Sequence, residues 1–303
     1  MKNEFVRFLL KSLFFAAFVG MGYMILYRIG LTPTVTNSAL FDKKMFLIQK
    51  HGLKDVKIMG MGASIPLYAL NSDMINQYFH MSYYNFGTWR LQIEDMRYLL
   101  KIYVDEHHPQ YLILVSSIGD FRRKRDSIYL NYGNTSAFVR NHLPELFYLK
   151  DYSSVYEIEI RRHTMARIMH LDPWGGVPMT IPYKDRDPKA WDERYPFPTA
   201  YTSYEYRQLD TLADFLRERK IRLIFVQAPI KAAYANTPVM NQVLTNHFDS
   251  CKRIVEADGG VYLNYYDTGV FADSLFFDQY HLQVSGGRLM TKELLNDLRT
   301  IIK

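Results

Sequence analysis

The strongest constraint on the fold is an alternation of short apolar runs with helical patterns. The plainest run, Tyr111 to Ile118, reads Tyr-Leu-Ile-Leu-Val-Ser-Ser-Ile and is closed by Gly119-Asp120. Shorter runs that also indicate strands occupy residues 56–59, 82–86, 222–227 and 261–265. Strands that alternate with helices favour a mainly parallel sheet covered on both faces, with functional residues in loops at the carboxyl ends of the strands. The sequence therefore predicts an α/β protein.

The segments between these runs have apolar residues at helical spacing. Helices are predicted over residues 65–79, 91–106, 204–219, 241–257 and 288–302. The middle of the chain, about 122–202, breaks this rhythm, because prolines and aromatic residues such as Trp174 accumulate there. We interpret residues 122–202 as an insertion or lid over a site rather than a separate domain.

The N-terminus predicts a membrane anchor. Residues 12–27 carry no charge, and Lys11 and Arg28, which flank them, can snorkel to the interfaces. Basic residues precede the apolar stretch, so the positive-inside rule leaves the short N-terminus in the cytoplasm. We expect residues 1–31 to be an uncleaved, single-pass anchor in the inner (cytoplasmic) membrane, with the folded domain extracytoplasmic, in the periplasm.

Two alternatives to an anchor remain. A cleaved signal peptide would need a small-x-small cleavage site, and no convincing one follows the apolar stretch. A buried soluble helix conflicts with apolar residues on every helical face. After the anchor, residues 32–52 are interpreted as a stalk and 53–303 as the folded domain.

Composition limits the function classes. A chain of 303 residues that is 48% hydrophobic can bury a full core. The net charge of +6 is spread over the chain, which argues against a nucleic-acid partner. Cys251 is the single cysteine, so an intramolecular disulfide and a cysteine-rich metal site are excluded. No metal and no cofactor are expected.

The candidate chemistry lies near the C-terminus and just after the first strand. Asp278 and His281 are three residues apart before the last helix, a spacing that suits a carboxylate orienting an imidazole base. Ser64 follows the glycines of Gly60-Met61-Gly62 and could be the nucleophile. Ser64 could instead cap a helix, and Asp278 could cap the last one. A dinucleotide loop is disfavoured because the third glycine of that fingerprint is absent.

Together these residues resemble the ordered sequence blocks of the SGNH (GDSL-like) hydrolase superfamily. The blocks are Ser64 in the first strand-to-helix turn, Gly87 after the second strand, Gly119-Asp120 after the third, and Asp278-x-x-His281. The resemblance covers roughly residues 53–300. It implies a flavodoxin-like α/β/α sandwich and acyl-ester chemistry through a serine acyl-enzyme, with Ser64, His281 and Asp278 as catalytic residues.

The oxyanion side of the site departs from the family pattern. The resemblance implies the backbone N–H groups of Ser64 and Gly87 as oxyanion donors, together with an asparagine side chain. That asparagine belongs to a Gly-x-Asn-Asp block, whereas this chain has Gly119-Asp120 without it. Loss of one oxyanion donor typically costs about 10²–10³ in rate. Asn85 and Ser117 are two candidate replacements, and the sequence leaves the choice between them open.

With its predicted anchor, the chain looks similar to extracytoplasmic family members of the alginate O-acetylation and Dlt D-alanyl transfer types. These work beside a membrane-bound O-acyltransferase, so the resemblance implies that partner and a polysaccharide or other envelope polymer as acceptor. We assign Asp120, Arg122 and Trp174 to substrate binding. The basic run 122–125 could meet an anionic polymer or be a solvated surface, and the aromatic insertion could stack sugars or be a packed lid.

Three functions follow from this reading. The main one is a membrane-anchored serine acyltransferase, with O-acetyl transfer to an envelope or exported polysaccharide. The second is an extracytoplasmic esterase or deacetylase with the same triad, because only water access separates hydrolysis from transfer. The third is a degenerate binding subunit of an acylation complex, which the missing asparagine keeps open.

Overall fold

The computed structural model describes residues 2–28, 40–41, 44, 47–48, 51–89, 91–121, 171–181, 203–235, 238–266 and 269–302. All five strands and the candidate site belong to one compact unit, Leu53–Gly133 with Thr164–Lys303. The long N-terminal helix α1, Lys2–Arg28, belongs to the other unit. It is long and apolar enough to span a membrane, with its apolar window at Asn3–Gly22.

A five-stranded parallel sheet forms the centre of the larger unit. Its strands, in chain order, are β1 Ile58–Met61, β2 Tyr83–Asn85, β3 Tyr111–Ser116, β4 Arg222–Gln227 and β5 Val261–Asn264. In space the order is β2-β1-β3-β4-β5, and every neighbouring pair is parallel. The chain therefore reverses its direction of travel between β1 and β3. In flavodoxin-like sheets this switch point is where ligands bind, beyond the carboxyl ends of the strands.

Helices cover both faces of the sheet. They are α2 Ile65–Ala69, α3 Ser72–Phe79, α4 Ile93–His107, α5 Ser203–Glu218, α6 Ala232–Ala235, α7 Pro238–Ala257 and α8 Val284–Ile301. Helices α2 and α3 both contact α8 on one face, while α4 and α7 both contact α5 in the other layer. The flavodoxin-like three-layer α/β/α arrangement predicted from the sequence is thus present.

Each face of the sheet buries its own set of side chains, because successive residues of a strand point to opposite faces. Ile113 and Val115 of β3 are fully buried in a cluster with Met290 of α8. The intervening Leu112 and Leu114 are also fully buried, and in a strand they point to the opposite face. Burial on both faces explains why β3 is a continuous apolar run rather than an alternating one.

Two predicted helices differ from the structure in an informative way. The pattern over 65–79 forms two helices, because the side chain of Asn71 accepts a hydrogen bond from the Met74 N–H and caps a second start. The last helix begins at Val284 rather than 288, so Gly287 lies inside its first turn. A Cβ at Gly287 would lie 2.4 Å from the Tyr68 carbonyl oxygen. The glycine there allows α8 to approach α2 closely.

Cys251 is fully buried, as expected of a small hydrophobic residue. The sequence pattern near residues 155–169 predicts one more helix, and that segment lies outside the described residues. Most of the predicted insertion also lies outside them, with the exception of residues 171–181.

Candidate active site

Ser64 is presented by the sharp turn that follows β1. Gly62 has φ of +147°, and a Cβ there would lie 2.3 Å from the backbone oxygen of Val115 on β3. Only glycine fits this conformation and this approach. Two residues later Ser64 precedes α2 with φ −75° and ψ −22°, and its side chain makes no capping hydrogen bond. Ser64 therefore occupies the N-cap position of α2, but its hydroxyl does not cap the helix and is left to act elsewhere.

His281 lies in a tight loop just before α8. The His281 carbonyl accepts a hydrogen bond from the Phe277 N–H at 2.7 Å, and Phe276 and Leu282 form an antiparallel bridge. The loop is closed internally by Asp278, whose Oδ1 accepts from the N–H groups of Tyr280 and His281 at 2.9 and 2.8 Å. One Asp278 oxygen thus fixes the loop, and the other, Oδ2, is left for the imidazole.

The structure brings the three predicted catalytic side chains together. Ser64 Oγ lies 2.7 Å from His281 Nε2, and His281 Nδ1 lies 2.6 Å from Asp278 Oδ2. Both distances are within hydrogen-bond range. The last helix has Gln283 at its N-cap, so Asp278 does not cap it. Nucleophile, base and orienting carboxylate are in the order that a serine acyl-enzyme mechanism needs.

The Asp278 carboxylate is held in its ionised form. Burial raises its pKa, but the positive charge available on His281 and the hydrogen bonds from His281 and Tyr280 lower it more. The net pKa therefore lies below the ordinary 3.8. An ionised carboxylate keeps the proton on Nδ1 of the neutral imidazole, which presents the Nε2 lone pair to the Ser64 hydroxyl.

Gly87, the predicted second oxyanion donor, is placed beside the nucleophile turn but its N–H is in use. The Gly87 N–H donates to Asn85 Oδ1 at 3.0 Å, and Asn85 Nδ2 donates to the Pro66 carbonyl at 2.8 Å. Asn85 is fully buried at the end of β2. Its amide therefore links the loop of Gly87 to the helix that follows Ser64.

The three predicted substrate-binding residues have different outcomes. Asp120 Oδ2 accepts hydrogen bonds from Ser116 Oγ at 2.9 Å and from the Ser117 N–H at 3.0 Å, so this oxygen organises the loop after β3. Trp174 is half-buried, and its carbonyl accepts from the Asn85 N–H at 2.8 Å. Arg122 lies outside the described residues. Contacts of these residues with substrate stay predictions.

Two aromatic residues beside the site were missed at the level of sequence. The ring of Tyr68 meets the ring of His281 edge-on, with centroids 5.1 Å apart and an interplanar angle of 86°. Trp89 donates its indole N–H to the Tyr68 hydroxyl at 2.9 Å. The signal was available, because Tyr68 is four residues after Ser64 in a helical segment and therefore lies on the same face.

The Tyr68 hydroxyl is held neutral. Burial raises its pKa well above 10, the negative charge of Asp278 adds to the rise, and the hydrogen bond from Trp89 partly opposes it. Tyr68 therefore contributes a neutral ring beside His281. Among the residues that the structure describes, no group of three or more His, Cys, Asp or Glu side chains is placed to hold a metal ion.

Neither a protein-family model nor a curated protein matches the sequence. Solved structures of GDSL-type and other α/β hydrolases are similar to the chain. LAE5, an α/β hydrolase from the metagenome of Lake Arreo, Spain, has a TM-score of 0.46 at 10% identity, covering 82% of this chain and 98% of its own. Axe2, an acetylxylan esterase from Geobacillus stearothermophilus, has a TM-score of 0.43 at 11% identity, covering 81% and 94%.

A third similar structure is a putative lipolytic protein of the G-D-S-L family from Desulfitobacterium hafniense DCB-2. Its TM-score is 0.43 at 10% identity, with coverage of 80% of this chain and 98% of that one. At this level of similarity these structures carry no inference about the activity of this chain.

Proposed function

We propose that the protein is a membrane-anchored serine acyltransferase, which moves an acyl group, acetyl in the first instance, onto a cell-envelope or exported polysaccharide. The observation that carries the proposal is the hydrogen-bonded series Ser64 Oγ to His281 Nε2 at 2.7 Å and His281 Nδ1 to Asp278 Oδ2 at 2.6 Å. A serine this well connected to an oriented imidazole is an activated nucleophile.

The first half-reaction loads the serine. Ser64 Oγ bonds to the carbonyl carbon of the donor ester while His281 Nε2 takes the hydroxyl proton, and the carbonyl π electrons move to oxygen. When the tetrahedral intermediate collapses, the bond to the donor oxygen breaks and His281 returns the proton to that leaving group. Asp278 stabilises the imidazolium that exists between the two steps.

The second half-reaction unloads the serine. An acceptor hydroxyl attacks the acyl carbon of the ester on Ser64 and gives its proton to His281. Collapse breaks the bond between acyl carbon and Ser64 Oγ, and His281 reprotonates the serine. A sugar hydroxyl as acceptor gives acyl transfer, and water gives hydrolysis, so the competition between them decides the class of enzyme.

Two features support transfer to a polymer at a membrane. The apolar helix α1 can hold the protein at a bilayer, and the basic residues before its apolar stretch favour a periplasmic domain. Half-buried Trp89 and Trp174 offer aromatic surfaces of the kind on which sugar rings stack. A membrane-bound O-acyltransferase that supplies the acyl donor across the bilayer is the partner this arrangement needs.

The test is complementation of polymer acylation. In cells lacking the protein we expect reduced O-acylation of an envelope polymer, restored by the wild-type chain and not by Ser64→Ala. Ser12→Ala, which changes a serine in the anchor, is the matched control and should restore acylation. Full restoration by Ser64→Ala would instead indicate a binding subunit.

Hydrolysis is separated from transfer by a second assay. The purified full-length protein in detergent is given p-nitrophenyl acetate, with and without an oligosaccharide acceptor. Transfer predicts acetylated oligosaccharide and faster release of nitrophenol when the acceptor is present. Release of free acetate at a rate that the acceptor does not change would favour the esterase.

A further inference from the structure

This chain lacks the asparagine side chain that the family pattern supplies as an oxyanion donor, so the site needs another donor in its place. The Gly87 N–H and both ends of the Asn85 amide are committed to each other and to the Pro66 carbonyl. Asn85 therefore cannot point its amide at a substrate without breaking two buried hydrogen bonds, each of which contributes about 1 kcal/mol net. Of the two replacements that the sequence offered, the structure disfavours Asn85.

Ser117 is in a different situation. It lies directly after β3 and is 2% exposed. Ser117 Oγ accepts a hydrogen bond from the Gly119 N–H at 3.2 Å, which leaves its own hydroxyl proton to donate. Within the described part of the chain, no acceptor receives that proton. A buried hydroxyl proton without an acceptor is uncommon and requires a reason.

The sheet register brings the loop that carries Ser117 next to the turn that carries the nucleophile. Met61 of β1 pairs with Leu114 of β3, and the next residues stay together, because a Cβ at Gly62 would touch the Val115 oxygen. Ser64 lies in the turn that leaves β1 at this end of the sheet, and Ser117 directly follows β3 at the same end. This is also the point between β1 and β3 where the strand order reverses.

The position of the absent asparagine leads to the same hydroxyl. In the block Gly119-Asp120, Gly119 stands where the family asparagine precedes its aspartate. A Cβ built at Gly119 would lie 3.3 Å from Ser117 Oγ and 3.7 Å from the ring of Tyr280, the neighbour of His281. The Ser117 hydroxyl thus lies in contact with the position from which a side chain on residue 119 would extend.

The loop also holds Ser117 in place. The Ser117 N–H donates to Asp120 Oδ2 at 3.0 Å. This hydrogen bond is charge-assisted, because Asp120 is a carboxylate. A donor fixed in advance of the reaction is what electrostatic stabilisation of an oxyanion requires.

We infer that Ser117 is a catalytic residue whose hydroxyl donates a hydrogen bond to the oxyanion formed when Ser64 attacks, in place of the missing asparagine. The second donor is the Ser64 N–H, which also has no acceptor within the described residues. The inference rests on the proposed serine chemistry and concerns only how the developing negative charge is held.

The test is the rate at which an alkyl fluorophosphonate modifies Ser64 in the full-length protein in detergent. In that reaction the Ser64 oxygen bonds to phosphorus, fluoride leaves, and His281 takes the serine proton. The phosphoryl oxygen occupies the oxyanion position. We expect Ser117→Ala to lower the second-order rate constant about 10²-fold, the effect typical of one oxyanion donor.

A matched control and a rescue variant accompany it. Ser116→Ala removes a hydroxyl that is equally buried, on the adjacent residue, but is already committed to Asp120, and we expect a rate within about threefold of wild type. Adding Gly119→Asn to Ser117→Ala restores an amide in the family position, and removal of Ser117 Oγ clears the 3.3 Å contact. We expect this double variant to recover at least tenfold. With p-nitrophenyl acetate as substrate, we expect Ser117→Ala to lower kcat and to leave KM unchanged.

The outcomes separate the two proposals. If the rate constant for labelling of Ser64 in Ser117→Ala is within threefold of the wild-type value, the role of Ser117 is overturned and the serine mechanism stands. Equal losses in Ser117→Ala and Ser116→Ala, without rescue by Gly119→Asn, show a structural role and also overturn it. Wild-type protein that is not labelled at Ser64, or is labelled equally after His281→Ala, overturns the proposed function and the inference with it.

Discussion

Asp278→Asn is the substitution whose consequence the geometry defines most closely. Asp278 Oδ1 accepts two backbone hydrogen bonds, from the N–H groups of Tyr280 and His281, and Oδ2 faces His281 Nδ1 at 2.6 Å. An asparagine must keep its oxygen toward the two backbone donors. Its NH₂ group is therefore directed at Nδ1.

That orientation changes the tautomer of the His281 imidazole. An NH₂ donor at Nδ1 requires the Nδ1 lone pair, so the proton of the neutral ring moves to Nε2. The ring then presents an N–H rather than a lone pair to Ser64 Oγ, which lies 2.7 Å away. In serine proteases the equivalent change leaves the geometry intact and lowers kcat about 10⁴-fold. We expect a similar loss here, about 5.5 kcal/mol of activation free energy.

The assay is hydrolysis of p-nitrophenyl acetate by the full-length protein in detergent, together with NMR of ¹⁵N-labelled histidine to identify the tautomer. The assay is run at neutral pH, where the wild-type carboxylate is ionised because the pKa of Asp278 lies below 3.8. Asp273→Asn is the matched control. Asp273 lies five residues before Asp278, and its carboxylate accepts a hydrogen bond from the Ala232 N–H instead of contacting His281. Activity of Asp278→Asn within tenfold of wild type, or a ring still protonated on Nδ1, would refute the reasoning.

Three further predictions concern stability, measured by denaturant unfolding in detergent. Gly62→Ala should lower the free energy of unfolding by at least about 2 kcal/mol, because φ of +147° and a 2.3 Å contact with the Val115 oxygen both oppose a Cβ. The control Gly259→Ala, with φ of +74° and open space around the Cβ, should lower it by about 1 kcal/mol. Equal losses in the two variants would contradict the close approach at Gly62. Burial lowers the pKa of His247 to about 3 in the folded protein, whereas the histidine of the unfolded chain has a pKa of about 6.5. Below pH 6.5 the unfolded chain therefore binds a proton that the folded protein does not, and the free energy of unfolding falls as the pH falls. Between pH 8 and 5 the wild type should lose about 2 kcal/mol more than His247→Gln. Parallel pH curves for these two proteins would show that His247 titrates freely. Finally, Tyr68→Phe and Trp89→Phe remove the same hydrogen bond, so their double variant should be about 1 kcal/mol less destabilised than the sum of the single variants, whereas strict additivity would show that the 2.9 Å contact contributes nothing.

Much of the fold followed from local patterns in the sequence. The run Arg222 to Gln227 forms β4 with the predicted bounds, and β3 begins at Tyr111 as expected. Their apolar character comes from burial on both faces of the sheet, which leaves a direct mark on the sequence. The split of the helix at Asn71 was less visible, because the apolar spacing continues through a residue whose role is to cap.

The site was predictable where its geometry is local. Asp278 and His281 are three residues apart, and one turn of chain is enough to join them. The hydrogen bond from the Gly87 N–H to Asn85 is equally local, yet nothing in the residue types shows which acceptor that N–H would take. The position of Gly287 inside α8 was not predictable, because the reason for it is the Tyr68 carbonyl of a distant helix.

The central claim is that Ser64 forms an acyl-enzyme because His281 removes its proton. Intact-protein mass spectrometry after brief exposure of the full-length protein to p-nitrophenyl acetate, followed by acid quench and peptide mapping, measures this directly. The account predicts one acetyl group per chain, on Ser64, and its loss in both Ser64→Ala and His281→Ala. An acetyl group on another residue, or one that forms on Ser64 as fast in His281→Ala as in the wild type, would contradict it.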